Sequence, residues 1–520
     1  MSDEPALRLA STRGRWVLAT AVLGSAIAFL EATVVNVALP TIGRELDTDV
    51  AGLQWTINGY LLTLAALILI GGSLGDRYGR RRVFEVGAVW FTLASALCAV
   101  APSIEVLVAA RVVQGIGGAL LTPGSLAIIE ATFHEDDRGR AIGAWSALTG
   151  VAGAVGPLLG GYLIDAVTWR AIFLINLPLG VLVVWAARRY IPETRDRSIT
   201  GALDVRGSVL VTLGLASVTF ALIQAPDAGI GSPAVLGALA MGVVALAAFV
   251  RTERNSASPM LPLSIFSSRQ FTGANLVTFV VYAALSAVTF LLVVFLQVGL
   301  GYSAIEAGAA SLPVTVLMLA LSARVGALSQ RIGPRLPLTV GPLVVAAGMF
   351  MMGEIDVGDG YVEAVLPGVT VFGLGLSLVV APVTITVLAA ADPRHAGIAS
   401  GVNNAVARTA GLVAIAALPL ITGLSGGDYE DPGALGEAFT TGMRISGALA
   451  ACGAVLAFAT IRDDVLRRAR EPERRPCQDA IEQAPARHCA VAGTPLATAP
   501  RATGPPPTAA RAGSTPAPRA

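Results

Sequence analysis

The apolar positions of this chain fall into long unbroken runs rather than alternating or one-sided patterns. Fourteen runs stand out, at about 16–39, 54–74, 83–101, 105–130, 140–164, 171–190, 204–224, 232–250, 271–299, 305–328, 336–353, 363–390, 396–424 and 440–460. A helix rises about 1.5 Å per residue, so about 20 apolar residues cross a hydrocarbon core about 30 Å thick. A bilayer offers no partner to backbone N–H and C=O groups, so only helices or closed barrels can span it. Barrel strands are about half as long as these runs and alternate in polarity. The pattern therefore predicts an all-α polytopic membrane protein with 14 transmembrane helices. The runs at 204–224 and 232–250 are also compatible with a re-entrant pair.

Composition strengthens this class. Apolar residues make up 54% of the chain and charged residues 14%, against about 25% charged in soluble domains. Too few charges remain to keep a soluble surface of 520 residues wet. The first run follows Arg8, Arg13 and Arg15 and is too long for the core of a signal peptide, so it is expected to be the first span.

All 36 basic residues are arginine, and their placement orients the helices. With the N-terminus inside, the cytoplasmic loops hold Arg77, Arg80, Arg81, Arg82, Arg138, Arg140, Arg188, Arg189, Arg195, Arg197, Arg331, Arg335 and Arg394, among others. The outer loops hold Arg44 and Arg170, and carry acids such as Asp47, Asp49, Glu354, Asp356, Asp359, Asp428, Glu430 and Asp431. One missed span would reverse this bias downstream, and no reversal occurs. The expectation is a multi-pass protein of a bacterial cell membrane with both termini cytoplasmic.

Several chemistries are disfavoured. A Walker A loop needs a lysine on the phosphates, and the chain has none. Cys98 and Cys452 lie in apolar runs, while Cys477, His488 and Cys489 are too few for a metal site. His134, His395 and His488 are scattered, and the loops are too short for a soluble catalytic domain. No enzyme activity, metal, cofactor or nucleic-acid partner is expected. The segment from 463 onward turns from Arg467, Arg468 and Arg470 to an Ala/Pro/Thr-rich stretch, expected to be a disordered cytoplasmic tail.

A weak repeat subdivides the rest. Gly72-Ser73-Leu74-Gly75-Asp76-Arg77-Tyr78-Gly79-Arg80-Arg81 follows the second run, and Gly326-Ala327-Leu328-Ser329-Gln330-Arg331-Ile332-Gly333-Pro334-Arg335 follows the tenth. Both share a Gly-x-Leu-x-x-Arg-x-Gly frame. The expected organisation is a six-helix bundle over 1–195, a two-helix linker over 196–264, a second six-helix bundle over 265–462, and the tail 463–520. Parallel halves around a midplane cavity are a common transporter architecture.

The loop at Gly72–Arg81, with Arg82, resembles the loop 2–3 signature of the major facilitator superfamily. Leu30-Glu31-Ala32-Thr33-Val34-Val35-Asn36-Val37-Ala38-Leu39-Pro40 resembles the first-helix signature of its fourteen-helix drug:proton antiporters, with Glu31 where that family usually has Asp. Arg111-Val112-Val113-Gln114-Gly115-Ile116-Gly117-Gly118-Ala119 is similar to their fourth-helix motif. Gly153-Ala154-Val155-Gly156-Pro157-Leu158-Leu159-Gly160-Gly161 is similar to their antiporter motif, although Ala152 stands where Gly is often found. Trp169–Gly180 is similar to the start of span 6, and Gly397–Asn404 with Arg408 to span 13. The resemblance implies a proton-coupled exporter of an amphiphilic antibiotic or of multiple drugs, working as a monomer by alternating access on the proton gradient. Export of an endogenous metabolite, lipid or siderophore remains open.

Ionisable residues deep in a span are costly and mark candidate sites. Glu31 lies about 22 Å along the first span and Arg111 about 9 Å from the opposite end of the fourth, which places them at similar depth. They are expected to face one cavity and to form a proton-dependent ion pair; a static structural pair is the alternative. Burial favours a neutral Glu31, and a nearby Arg111 favours the carboxylate. Asp76 is expected to cap a helix end and pair with arginines. Asn36, Asn58, Gln114, Gln297, Asn403, Asn404 and Arg408 are candidate cavity residues, with helix-to-helix bonding as the other account of the amides. Gly156-Pro157 either bends span 5 or serves close packing. Phe279, Tyr282, Phe290 and Phe295 either line an apolar surface or pack.

Overall fold

Several spans begin where a polar residue supplies the first turn with an acceptor. Ser11 accepts from Gly14 N, Asp49 from Gly52 N, Asp204 from Gly207 N and Ser232 from Val235 N, and Ser303 with Glu306 forms a reciprocal capping box. The computed structural model describes residues 6–196, 202–391 and 396–468. Arg197, Arg394, His395 and the expected tail from 469 onward, with Arg470, Cys477, His488 and Cys489, lie outside the described residues.

The 14 spans are α1 (Thr12–Leu46), α2 (Val50–Tyr78), α3 (Arg80–Ala99), α4 (Ile104–Thr132), α5 (Glu135–Ala166), α6 (Ala171–Tyr190), α7 (Val205–Ala228), α8 (Pro233–Asn255), α9 (Arg269–Val298), α10 (Ala304–Ile332), α11 (Arg335–Met352), α12 (Tyr361–Ala389), α13 (Gly397–Thr422) and α14 (Pro432–Thr460). Both α7 and α8 are long enough to cross, with 24 and 23 residues. Most helices outrun their apolar cores. The 35-residue α1 carries Arg44 and Glu45 in its last turn, because a helix goes on satisfying its backbone after leaving the hydrocarbon. α6 is interrupted at Ile175 and α10 at Ser311.

The packing repeats at an offset of eight spans. α1 packs on α4, α5 and α6, α2 on α4, and α3 on α4 and α6; in the same way α9 packs on α12, α13 and α14, α10 on α12, and α11 on α12 and α14. The two sets meet where α2 lies along α13, α5 along α10 and α1 along α9. The α7–α8 hairpin leans through α7 on both α2 and α13, beside this seam.

At the acid-rich face the seam is closed. Val50 N donates to Gly426 O at 3.1 Å, Tyr429 Oη to Thr48 O at 3.0 Å, and Ile305 N to Asp165 Oδ2 at 2.9 Å. α5 and α10 touch here through missing side chains. A Cβ at Gly161 would stand 2.5 Å from Ile305 Cα, and one at Gly308 would stand 2.7 Å from Pro157 C. Toward the arginine-rich face α5 separates: Cβ atoms at Gly150, Gly143 and Gly139 would meet nothing within 4 Å.

Candidate functional site

Glu31 and Arg111 meet inside the first six-helix set. Their side chains are 0% and 1% exposed, with Arg111 Nη1 2.5 Å from Glu31 Oε1. Arg111 also donates from Nη1 to Gln114 Oε1 at 2.5 Å and from Nε to Thr56 O at 2.9 Å. The second carboxylate oxygen of Glu31 accepts from Asn176 Nδ2 at 2.7 Å. Ser95 Oγ accepts from Gln114 Nε2 at 2.7 Å and from Asn176 Nδ2 at 3.3 Å, closing the network. The guanidinium lies over the Tyr60 ring at 4.6 Å and the Phe173 ring at 5.8 Å. Five helices thus contribute: α1, α2, α3, α4 and α6. The pair was expected to face a cavity. In this conformation it is enclosed by its own bundle, because Tyr60 and the glycine-rich face of α4 pack tightly around it. Cβ atoms at Gly115 would reach Tyr60 and Thr63.

Arg408 is the other arginine inside a span at the seam. It extends from α13 across the seam and lies over the Phe29 ring of α1 at 5.4 Å. The hydroxyls of Tyr60 and Tyr282 are within electrostatic reach of its charge. Among the described residues no carboxylate comes within ion-pair distance of Arg408, whereas Arg111 is paired with Glu31.

The candidate amides divide. Gln114 belongs to the Glu31–Arg111 network. Gln297 bridges the seam, donating to Val37 O at 2.9 Å. Asn403 bonds Asn275 and Thr278 of α9 at 3.2 and 2.9 Å, which is helix-to-helix bonding. Asn36 and Asn404 donate to carbonyls of their own helices, Ala32 O and Ser400 O. Asn58 is fully buried with both side-chain polar atoms unpartnered. Phe295 is buried and stacks on Phe439 at 4.1 Å, and Phe290 is also buried, so these two serve packing. Arg324 is exposed and turns back to Ala320 O.

The glycine-rich motif of α5 works on two sides. Gly153, Gly156 and Gly160 lie against Phe29, Thr33 and Val34 of α1, and Thr33 Oγ1 donates to Gly153 O at 3.1 Å. Pro157 and Gly161 lie against Gly308 and Ala304 of α10. The motif therefore serves close packing, within one bundle and across the seam.

At the arginine-rich face, Asp76 pairs with Arg80 at 2.7 Å instead of capping α3. α3 starts at Gly79 with no side-chain cap, because Asp76 still lies inside α2 and its carboxylate is drawn to the guanidinium one turn on. Glu193, just past α6, accepts from Arg81 N at 3.2 Å, and Arg81 Nη1 donates to Ile191 O at 3.2 Å. The second half repeats this clasp: Asp463, just past α14, accepts from Arg335 N at 3.0 Å, and Arg335 Nε donates to Phe458 O at 3.0 Å. Gly79 and Gly333 have φ of +114° and +94°, and a Cβ on either would strike the clasping carboxylate. Gly72 lies near Pro123 of α4, while Leu74 and Arg77 are partly buried.

Reasoning from sequence missed Ser95, Tyr60, Thr56 and Phe173 as partners of the ion pair, and Asn176 as the ligand of its second oxygen. Asn176, polar inside an apolar run, was the one available signal. It also missed Glu193 and Asp463, acids just beyond the sixth and fourteenth spans.

The chain matches the Major Facilitator Superfamily over residues 21–416. It is 38% identical over 401 residues to the methylenomycin A resistance protein of Streptomyces coelicolor, covering 76% of this chain and 83% of that protein. It is 33% identical over 424 residues to the tetracenomycin C resistance and export protein of Streptomyces glaucescens, covering 80% and 78%. In fold it is similar to a POT family transporter solved in complex with a thioalcohol-conjugated peptide, with a TM-score of 0.64 at 13% identity over 85% of this chain and 95% of that one. With its 14 spans and its packing repeated at eight, the chain belongs to the Major Facilitator Superfamily.

Proposed function

We propose that this protein is a proton-coupled secondary transporter that exports an amphiphilic small molecule, an antibiotic or several drugs, by alternating access. The observation that carries this is the Glu31–Arg111 ion pair, held at full burial against the Tyr60 ring. The names of the resistance and export relatives support the direction and the substrate class. The arginine-rich face is taken as cytoplasmic, and one chain supplies both bundles, so the working unit is a monomer.

In this scheme Glu31 and Arg111 are the proton-coupling residues. When the acid-rich face opens, Glu31 takes a proton and its bond to Arg111 is lost. Arg111 keeps Gln114, Thr56 and the Tyr60 face, so the freed charge is not left bare. When the arginine-rich face opens, the proton leaves and the pair reforms as seen here. Arg408 attracts the anionic or hydroxyl-rich end of the substrate, and the aromatic rings beside it hold the apolar body. The bundles 1–195 and 265–462 rock about the seam, and the hairpin of 196–264 rides on α2 and α13.

The test is a growth panel of toxic compounds in a host lacking its own pumps, comparing the intact protein with Glu31→Gln, with and without a proton uncoupler. Resistance should require Glu31 and collapse with the uncoupler. Resistance indifferent to the uncoupler would refute antiport.

A further inference from the structure

Away from the seam, the outer surface of α3 and α6 carries a trough of about 580 Å³. Its floor is Thr92 and Gly180, its walls include Leu93 and Trp185, and it ends at Arg188 and Arg189. Gly180 gives the trough its depth, because any side chain there would run into Thr92. Leu93 and Trp185 are 63% and 50% exposed, as side chains facing lipid are. From Gly180 to Arg189 the helix rises about 13 Å, close to the half-thickness of a bilayer core. Tyr190 stacks on Trp16 at 4.9 Å, and Trp185 meets both rings edge-on at 5.9 and 6.0 Å. Such a cluster marks the level of the lipid headgroups.

The charge at this end is unbalanced. Glu85 and Glu193 are the carboxylates paired with these arginines, and both are shared: Arg81 lies 3.5 Å from Glu85 and 3.7 Å from Glu193, Arg82 lies 3.7 Å from Glu193, and Arg188 lies 3.4 Å from Glu85. Arg189 has no carboxylate within ion-pair distance among the described residues; its guanidinium lies 5.7 Å from the Tyr190 ring. The guanidiniums of Arg81, Arg82, Arg188 and Arg189 outnumber the carboxylates they share beside an apolar trough one leaflet deep.

We propose that this trough is a binding site for one anionic phospholipid of the leaflet on the arginine-rich side. The phosphate sits between Arg188 and Arg189, and an acyl chain runs along Trp185 and Leu93 to Gly180. A zwitterionic lipid fills the same trough but brings its own cation to the headgroup, so it binds more weakly.

The test is native mass spectrometry of the full chain released from detergent after titration with dioleoyl phosphatidylglycerol or dioleoyl phosphatidylcholine. Wild type should retain one phosphatidylglycerol in preference to phosphatidylcholine. Arg188→Gln with Arg189→Gln should cut that preference about tenfold or more, and Leu93→Trp should lower retention of both lipids by filling the trough. Arg189→Gln alone, which breaks no ion pair, should weaken the preference in a protein whose thermal unfolding is unchanged. Equal retention of the two lipids by wild type, or a preference that survives both arginine substitutions, overturns the proposal. So does competition by glycerol phosphate as strong as that by the intact lipid, since the trough would then have no part in binding.

Discussion

Arg111 has five N–H donors and uses three of them on Glu31, Gln114 and Thr56 O, with its face against Tyr60. A guanidinium this deeply buried depends on its anion. Glu31→Gln removes the charge and keeps the shape, which should cost about 3–5 kcal/mol of stability, because breaking a buried pair strands one ion. Thermal unfolding of the purified protein checks the loss, and efflux under an imposed pH gradient checks whether coupling goes with it. Glu31→Gln combined with Arg111→Gln should recover stability but not coupling, which separates folding from proton chemistry. Gly79 and Gly333 make a second prediction at this scale. With φ of +114° and +94°, and a carboxylate where a Cβ would go, Gly79→Ala and Gly333→Ala should each cost about 1–3 kcal/mol. A lower unfolding midpoint in each variant checks this. Glu31 and Arg111 were legible in the sequence because charge inside an apolar run is conspicuous. Ser95, Thr56 and Tyr60 were not, because hydroxyls and aromatic rings are ordinary in spans and only packing decides which of them face an ion pair.

At the scale of helices, α5 is the element with most at stake. Its Gly153, Gly156 and Gly160 bind it to α1, while Pro157 and Gly161 bind it across the seam to α10. The second contact exists only while the acid-rich ends are together. Gly308→Val should therefore penalise that closed state by about 1–3 kcal/mol through overpacking, moving the population about 5–150-fold toward opening at the acid-rich face. Spin labels at Val167 and Val357, both exposed near that face, should report a longer distance distribution in the variant. An unchanged distribution would mean that the Gly308 contact does not set the equilibrium. The glycine spacing was visible in the sequence, but the same spacing suits a bend, a lipid-facing strip or a helix contact. Its division into two packing faces became clear only with α1 and α10 in place. The repeat behaved similarly. Gln330 stands where the first copy has Asp76, so the Asp76–Arg80 pair is not what the two copies share. Instead, the part held in common is the carboxylate clasp on Arg81 N and Arg335 N, made by Glu193 and Asp463 from far along the chain.

Over the whole molecule, closure of the acid-rich face rests on backbone and side-chain ties between the halves. Cysteines replacing Asp165 and Ile305 in a cysteine-free background test this closure by cross-linking, since Ile305 N lies 2.9 Å from the Asp165 carboxylate. Oxidation should arrest transport and reductant should restore it; transport that continues through the cross-link would exclude opening at this face. Tyr429 is another tie. Partial burial, and then the Glu430 carboxylate beside it, push its hydroxyl up to about 12. A group with a raised value keeps its proton below its ordinary range and loses it only as pH climbs through the raised one. The Tyr429 bond to Thr48 O should thus be constant through neutral pH, so a pH response between about 5 and 8 should disappear with Glu31→Gln and persist with Tyr429→Phe. The spans and the eight-span offset of the repeat were legible in the sequence alone, because the bilayer imposes length and apolarity on each segment separately. The enclosure of the ion pair, the half-buried charge of Arg408 at the seam and the closed face were decided by tertiary structure. Each depends on which helix faces meet, and that is set by packing between segments hundreds of residues apart rather than by anything a single segment carries.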